Sequence, residues 1–355
     1  MNFTYHKKRI SGMLVILPEH EQSFLEDMKL FKFPESRSLK LKQVMGYDKH
    51  RLVLPGVCVS DQAVFGMEHL FEKGLLERDG FDALVLVTQS PDHFSPPTSN
   101  IIQGRLNLKH DLFCMDINQG CTGFLIGLMQ ACMLLEQESV RKVVLINADV
   151  MSRKVSPKDR NSYPLAGDAA SITIIERDAE DSVIHANLKM DGTRNDALII
   201  PAGGFRLPST PETAVMDDVG DNNLRAKDHL RMDGSAVFNF VQVEVPPMIE
   251  SLMASAGTTL EDVDWFLFHQ PNRFMLQKLA DKLGVPHGKM PMNVVEHFGN
   301  SSGVTIPVAI AHNLGQRLLT ESYNVCLAGF GVGLAWSSML MQLGKLDFCK
   351  MIDQP

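Results

Sequence analysis

The sequence predicts an α/β protein built from two similar halves, 1–178 and 179–355, and three observations lead there. Short apolar runs ending in Gly, Asn, Asp or Pro alternate with stretches of helical spacing, the pattern of strands and helices taken in turn. Residues 82–91 (DALVLVTQSP) and 264–271 (DWFLFHQP) start 182 positions apart, and the apolar runs at 143–148 and 325–328 are separated by the same 182. Between them a turn and helix start come at 120–123 (GCTG) and again at 300–303 (NSSG), with Cys121 and Asn300 179 positions apart. Three segments in one order with nearly one spacing read as a duplication. In a duplicated α/β fold, equivalent strand ends and helix starts meet between the halves, and a site there draws on both. The loops at 121, 269, 300 and 329–333 are therefore the candidate site.

The elements follow in chain order. Residues 13–17 read as a first strand, because the apolar stretch after Lys7, Lys8 and Arg9 is too short for a leader and runs into Glu19 and Glu21. The longest apolar run, 124–135, has 12 residues and includes Gln130, short of the ~20 that cross a bilayer, so a cytoplasmic protein without a membrane partner is expected. Thirty-four Lys and Arg against 42 Asp and Glu give a formal charge of −8, which provides no broad positive field for nucleic acid. The six cysteines (58, 114, 121, 132, 326, 349) include no CxxC pair, so no disulfide framework and no metal site is expected.

One cysteine stands apart. From Cys121 the positions 124, 125, 128, 129 and 132 continue an i, i+3, i+4, i+7 apolar stripe, which places Cys121 at the first turn of a buried helix. Unpaired N–H groups and the positive helix end there favour thiolate, so its pKa is expected to be lowered. The other five cysteines read as small core residues. A nucleophile of this kind needs a partner for protons or negative charge. His269 ends the run 265–268 just before Gln270-Pro271-Asn272, where open α/β sheets present ligand-binding residues. His93, His110, His229 and His297 carry no such signal.

Gly299-Asn300-Ser301-Ser302-Gly303 matches the GxSxG elbow of serine hydrolases, but that arrangement needs an acid and then a His downstream. Only His312 follows, within the next predicted helix. Asn300 at a helix start, its amide donating to an oxyanion, is the better reading. Gly329-Phe330-Gly331-Val332-Gly333 lacks the third glycine of a dinucleotide loop, but can aim backbone N–H groups at an oxyanion. Residues 167–170 (GDAA) turn the chain into the strand 171–175.

Taken together, Gly120-Cys121-Thr122-Gly123-Phe124, His269-Gln270-Pro271-Asn272, Gly299-Asn300-Ser301-Ser302 and Gly329 to Gly333 resemble the β-ketoacyl-acyl-carrier-protein synthase III family of the thiolase superfamily over nearly the whole chain. Residues 159–160, 167–170 and 232–238 also fit. The resemblance implies a thiolase-like, five-layered αβαβα fold and a homodimer whose central sheet continues across the subunits. It implies that Cys121 takes an acyl group from acyl-CoA, with the N–H groups of Cys121 and Val332 holding the oxyanion. His269 and Asn300 would then stabilise the enolate formed when malonyl-acyl-carrier-protein loses CO₂. Arg153, Phe238 and Asn272 match residues of the coenzyme A entrance and pantetheine tunnel, and no cofactor beyond these substrates is implied.

The departures lie at the entrance. Val44 stands where a second arginine is expected, Phe274 replaces a basic residue, and Lys40, Lys42, Lys49 and Arg51 are the candidates to compensate. Pro96, at the place of a larger side chain from the dimer partner, points to a primer other than acetyl. Alternatives are acyl transfer from Cys121 to an alcohol or amine, and an inactive scaffold paired with an active homologue; hydrolysis of the acyl-enzyme fits Asn300 poorly.

Overall fold

A computed structural model describes residues 1–355. Eleven strands build two sheets: β1 (Asn2–His6), β2 (Lys8–Pro18), β3 (Ala83–Val87), β4 (Phe113–Ile117), β5 (Lys142–Asp149), β6 (Ala169–Arg177), β7 (Val183–Met190), β8 (Trp265–Phe268), β9 (Ser322–Gly331), β10 (Ala335–Gly344) and β11 (Phe348–Gln354). The first sheet has the order β11-β2-β6-β5-β3-β4 and the second β1-β7-β10-β9-β8. Both faces of the central strands are covered, so β3 is a continuous apolar run, Ala-Leu-Val-Leu-Val, with every residue buried.

The duplication is visible in the hydrogen-bond register. Ala83 pairs with Val143 in parallel β3 and β5, and Trp265 pairs with Val325 in parallel β8 and β9, each residue 182 positions from its equivalent. An antiparallel neighbour follows in both sheets, β6 beside β5 and β10 beside β9.

Seven helices are relevant: α1 (Glu35–Met45), α2 (Val59–Glu72), α3 (Thr98–Arg105), α4 (Gly123–Leu134), α5 (Gly234–Ala256), α6 (Arg273–Leu283) and α7 (Thr305–Asn313). α4 and α7 are apolar nearly all round and lie between the sheets; α4 touches β5 and β9, and α7 touches β2 and β8. α2 and α3 cover the outer face of the first sheet, α5 and α6 that of the second. The result is five layers, αβαβα.

Two expectations change at the chain ends. Residues 13–17 belong to β2 rather than to the first strand; β1 precedes it and pairs with β7 in the second sheet, while β11 returns to pair with β2 in the first. The sheets thus exchange their terminal strands, and a cut into 1–178 and 179–355 does not follow them there. At the other end of the first sheet, β4 pairs only with β3, leaving one edge open with Phe113 43% exposed. No helix is long and apolar enough to cross a membrane.

Candidate active site

Three of the four loops that the repeat nominates, at 121, 300 and 329–333, interleave between the sheets because glycine leaves room. A Cβ on Gly329 would lie 2.9 Å from the Cys121 carbonyl oxygen, and one on Gly303 would lie 2.6 Å from Asn147 Oδ1 and 2.9 Å from the Gly120 oxygen. A Cβ on Gly331 would come within 2.6 Å of Cys121 Sγ. These contacts seat the 329–333 turn directly on the thiol. Gly331→Ala should therefore cut the rate of Cys121 alkylation by iodoacetamide by about 10²-fold with the fold intact, since a displacement of about 1 Å suffices. Rates measured beside thermal melts check this; an unchanged rate means the turn yields without moving the thiol.

Cys121 differs from expectation in two ways. It precedes α4 rather than starting it: Thr122 is the N-cap, and the Gly123 N–H closes a tight turn onto the Gly120 oxygen at 2.7 Å. Its pKa is also raised, not lowered. Burial pushes the thiol up, while the Val332 N–H, the Ser302 side chain and the Cys121 N–H pull against it, and the charge of Asp149 adds to the rise. A helix end is worth about 0.3–1 kcal/mol, whereas full burial of a titratable group moves its pKa by several units, so desolvation wins. Cys132 and Cys349 are pushed up to about 12, and neither lines a cavity shared with His269 or Asn300. Cys121 is singled out instead by access and by N–H donors from Val332 and from itself, aimed at Sγ.

His269 follows β8, buried, with Nδ1 2.7 Å from Thr305 Oγ1. That hydroxyl also accepts the Gln270 N–H at 3.2 Å and donates to the Ser302 oxygen at 2.8 Å. Burial draws His269 down to about 4, with the Ser302 carbonyl opposing. With Nδ1 engaged, Nε2 is the ring nitrogen left for a ligand.

Asn300 is pinned to the first half by a parallel bridge to Ala166, its N–H donating to the Leu165 oxygen at 2.7 Å and its oxygen accepting the Gly167 N–H at 3.1 Å. It precedes a single turn, Ser302–Val304, that leads into α7. Its Oδ1 accepts the Ser302 N–H at 2.9 Å, so its NH₂ remains as the free donor. His50, buried beside it, engages the Ala166 oxygen through Nδ1 at 2.6 Å, with Asp27 Oδ2 3.2 Å from Nε2, bracing the segment that bridges to Asn300. His312, the only histidine downstream of the GxSxG match, lies against His297 and Phe298 and does not line the cavity that holds Cys121.

One cavity of about 490 Å³ brings together Cys121, His269, Asn300, Phe238 and Asn272. Phe238 and Phe274 stack at 5.8 Å to form an apolar wall, so Phe274 serves as lining. Asn272 caps α6 by accepting the Met275 N–H at 2.9 Å, which leaves its NH₂ free. A smaller cavity of about 100 Å³ adjoins the larger one at Cys121 and Asn300, lined also by Val332 and Ser302 among apolar residues such as Met151, Val155 and Leu230.

Arg153 does not line this cavity. It sits in a single turn after β5, bonded to the carbonyls of Leu54 and Val57 and beside Cys58, and lines a separate cavity. The compensating cations are mostly spent: Lys42 pairs with Asp48, Lys49 with Glu21, and Arg51 with Glu21 and Asp353. Lys40 is exposed and has no carboxylate partner. Thr305, Gln89 and Asp149 had no sequence signal, because each meets the site only through packing between distant segments. No cluster of three or more His, Cys, Asp or Glu is placed to hold a metal ion.

Two matched sheets around buried helices, with Cys, His and Asn on one cavity between the halves, define a thiolase-type protein. The profile described as 3-oxoacyl-[acyl-carrier-protein (ACP)] synthase III matches residues 115–192, and that of the same enzyme's C terminal matches 253–343. The chain is 32% identical to a beta-ketoacyl-[acyl-carrier-protein] synthase III of Synechocystis sp. over 78% of its length and 81% of that protein. With the corresponding protein of Streptococcus uberis the figures are 31%, 83% and 88%. The crystal structure of a 3-oxoacyl-(acyl-carrier protein) synthase from Burkholderia xenovorans superposes with a TM-score of 0.92 at 29% identity, covering 100% of this chain and 99% of that one. The chain belongs to the 3-oxoacyl-acyl-carrier-protein synthase III family, a family of acyltransferases.

Proposed function

We propose that the protein condenses an acyl group from acyl-CoA with malonyl-acyl-carrier-protein, releasing CO₂. Cys121 attacks the acyl-CoA carbonyl, the N–H groups of Cys121 and Val332 hold the oxyanion, and CoA leaves as its thiol. The malonyl thioester then enters through the larger cavity past Phe238 and Asn272. His269 Nε2–H and the Asn300 NH₂ donate to its carbonyl oxygen as CO₂ departs, and the enolate carbon attacks the acyl-Cys121. The step requires the proton of neutral His269 on Nε2, which is the case once the Thr305 hydroxyl turns its proton from the Ser302 oxygen to Nδ1.

The carrying observation is the pair of neutral donors, His269 and Asn300, on the same cavity as the thiol. Neutral donors suit a developing enolate. Transfer to an alcohol or amine needs a base with a pKa near the working pH, and His269 at about 4 is a weak one. The smaller adjoining cavity is the place for the primer chain.

Carrier protein and acyl-CoA are the partners in this reading. α1 and α6 flank the larger cavity through Met45 and Phe274, and exposed Arg37, Lys40 and Lys282 on these helices are the cations offered to phosphate and to an acidic carrier. The open edge of β4 pairs with its copy to make a homodimer with one continuous central sheet. No resident cofactor is part of the reaction. A cytoplasmic setting accords with six unpaired cysteines. A screen of acyl-CoA primers with malonyl carrier protein, reading CO₂ and product mass, tests the reading. CO₂ with a product two carbons longer than the primer supports it; acyl transfer to small alcohols without CO₂ sinks it.

A further inference from the structure

Attack by Cys121 requires its proton to leave, and burial works against a standing thiolate. His269, titratable and on the same cavity, is held near 4 and already engages Thr305, so it takes up a proton poorly at neutral pH. A third titratable group lies behind the thiol. Asp149 ends β5 and is fully buried. Its Oδ1 accepts the Gln89 N–H at 2.9 Å, the Ser90 hydroxyl at 3.1 Å and the Thr88 hydroxyl at 3.2 Å. Its Oδ2 is equally buried yet makes no full hydrogen bond. Three donors on one oxygen suffice to hold the 88–90 loop; a bare, buried second oxygen is destabilising and calls for another explanation.

Ser302 stands between this carboxylate and the thiol. Its hydroxyl is close enough to both Cys121 and Asp149 to favour the charged form of each, but makes no full hydrogen bond to either. Gln89 Nε2 donates to Ser302 Oγ at 2.8 Å, so the hydroxyl proton is free to go to either acceptor, but to only one at a time. Ser302 is also held at φ 59°, a left-handed conformation unusual for serine, with its N–H fixed by Asn300 Oδ1. Burial keeps Asp149 protonatable near neutrality, at about 7, against the pull of its Gln89, Ser90, Thr88 and Ser302 donors.

We propose that Ser302 and Asp149 form the proton path that activates Cys121. As Sγ attacks the thioester carbonyl, the thiol proton moves to Ser302 Oγ and the Ser302 proton moves to Asp149 Oδ2. The Sγ–C bond forms and the C–S bond to the leaving group breaks; the departing thiolate recovers the proton through Ser302, and the carboxylate is restored. One thiol and one thioester give one thioester and one thiol. Asp149 acts through Ser302 and is a positioning and relay residue. The inference rests on the acyl-Cys121 reading above.

Asp149 could instead matter only as a charge, and the two roles predict opposite signs. A bare negative charge raises the Cys121 pKa, so Asp149→Asn would ease thiolate formation and speed acylation; loss of a relay slows it. The experiment is rapid-quench acylation by acyl-CoA, read by intact mass between about pH 6 and 9, with CO₂ release from malonyl carrier protein as the second readout. The relay predicts that Asp149→Asn and Ser302→Gly each slow acylation by about 10²-fold and abolish its inflection near neutrality, while CO₂ release through His269 and Asn300 changes far less. Asn keeps the Oδ1 acceptor, and glycine suits φ 59°, so if one variant misfolds the other carries the test. Acylation equal to or faster than wild type, or a matched fall in both readouts, overturns the relay. Absence of an adduct on wild type overturns the acyl-enzyme reading itself, which separates the two failures.

Discussion

Replacing His269 or Asn300 with Ala will leave Cys121 able to take up an acyl group, but will slow CO₂ release from malonyl carrier protein by about 10²- to 10³-fold for each donor removed. The reason is geometric. Both donors line the cavity beside the thiol, each with its other polar atom already committed: His269 Nδ1 to Thr305, and Asn300 Oδ1 to the Ser302 N–H. What remains free, Nε2 and the NH₂, can only serve a ligand. The pH profile gives a second signature. An ordinary histidine titrates near 6.5. With its pKa lowered to about 4, His269 stays neutral above that value and gains a proton only as pH falls through it. CO₂ release should therefore show no histidine inflection between about pH 5.5 and 8. Steady-state CO₂ assays and acylation by intact mass separate the two steps. Variants that lose acylation but keep CO₂ release would reverse the assigned roles.

Cys121→Ala will abolish the acyl adduct and reduce condensation on the order of 10⁶-fold, as loss of a covalent nucleophile does elsewhere. CO₂ release should survive in this variant, because the enolate donors stay in place. No other cysteine can substitute. Cys132, Cys326 and Cys349 are buried, with thiols held far above neutrality by burial, and Cys58 and Cys114 lie outside the cavity. Peptide mapping after incubation with acyl-CoA should find the acyl group on Cys121 alone, and an adduct of equal yield in Cys121→Ala would refute the assignment.

How far the sequence reaches depends on the range of the interaction. The repeat was legible because strand register is a sequence property once two strands share a pattern, and the spacing of 182 reappears in the pairs Ala83–Val143 and Trp265–Val325. The exchange of terminal strands was not, since β1 is five residues long and half exposed, and its partner lies 180 residues away. Cys121, His269 and Asn300 were legible because strand ends and helix starts are local signals. The direction of the Cys121 shift was misread because a local helix effect was weighed without the burial that only packing reveals. The bonding of Arg153 was hidden for a similar reason: a cation just after a strand looks available, but the carbonyls of Leu54 and Val57 accept its hydrogen bonds. Ser302, Thr305 and Asp149 converge from α7's entry and from β5, a relation no spacing records.

The central claim is that one cavity first carries an acyl group on Cys121 and then condenses it. A single-turnover experiment tests this directly: load the protein with an accepted acyl-CoA, remove free CoA, add malonyl carrier protein, and weigh enzyme and carrier over time. The account predicts an acyl mass on the protein that disappears at the rate at which 3-oxoacyl carrier protein and CO₂ appear. An acyl-enzyme that persists while CO₂ is released, or product formed with no acyl-enzyme at any time, would contradict it.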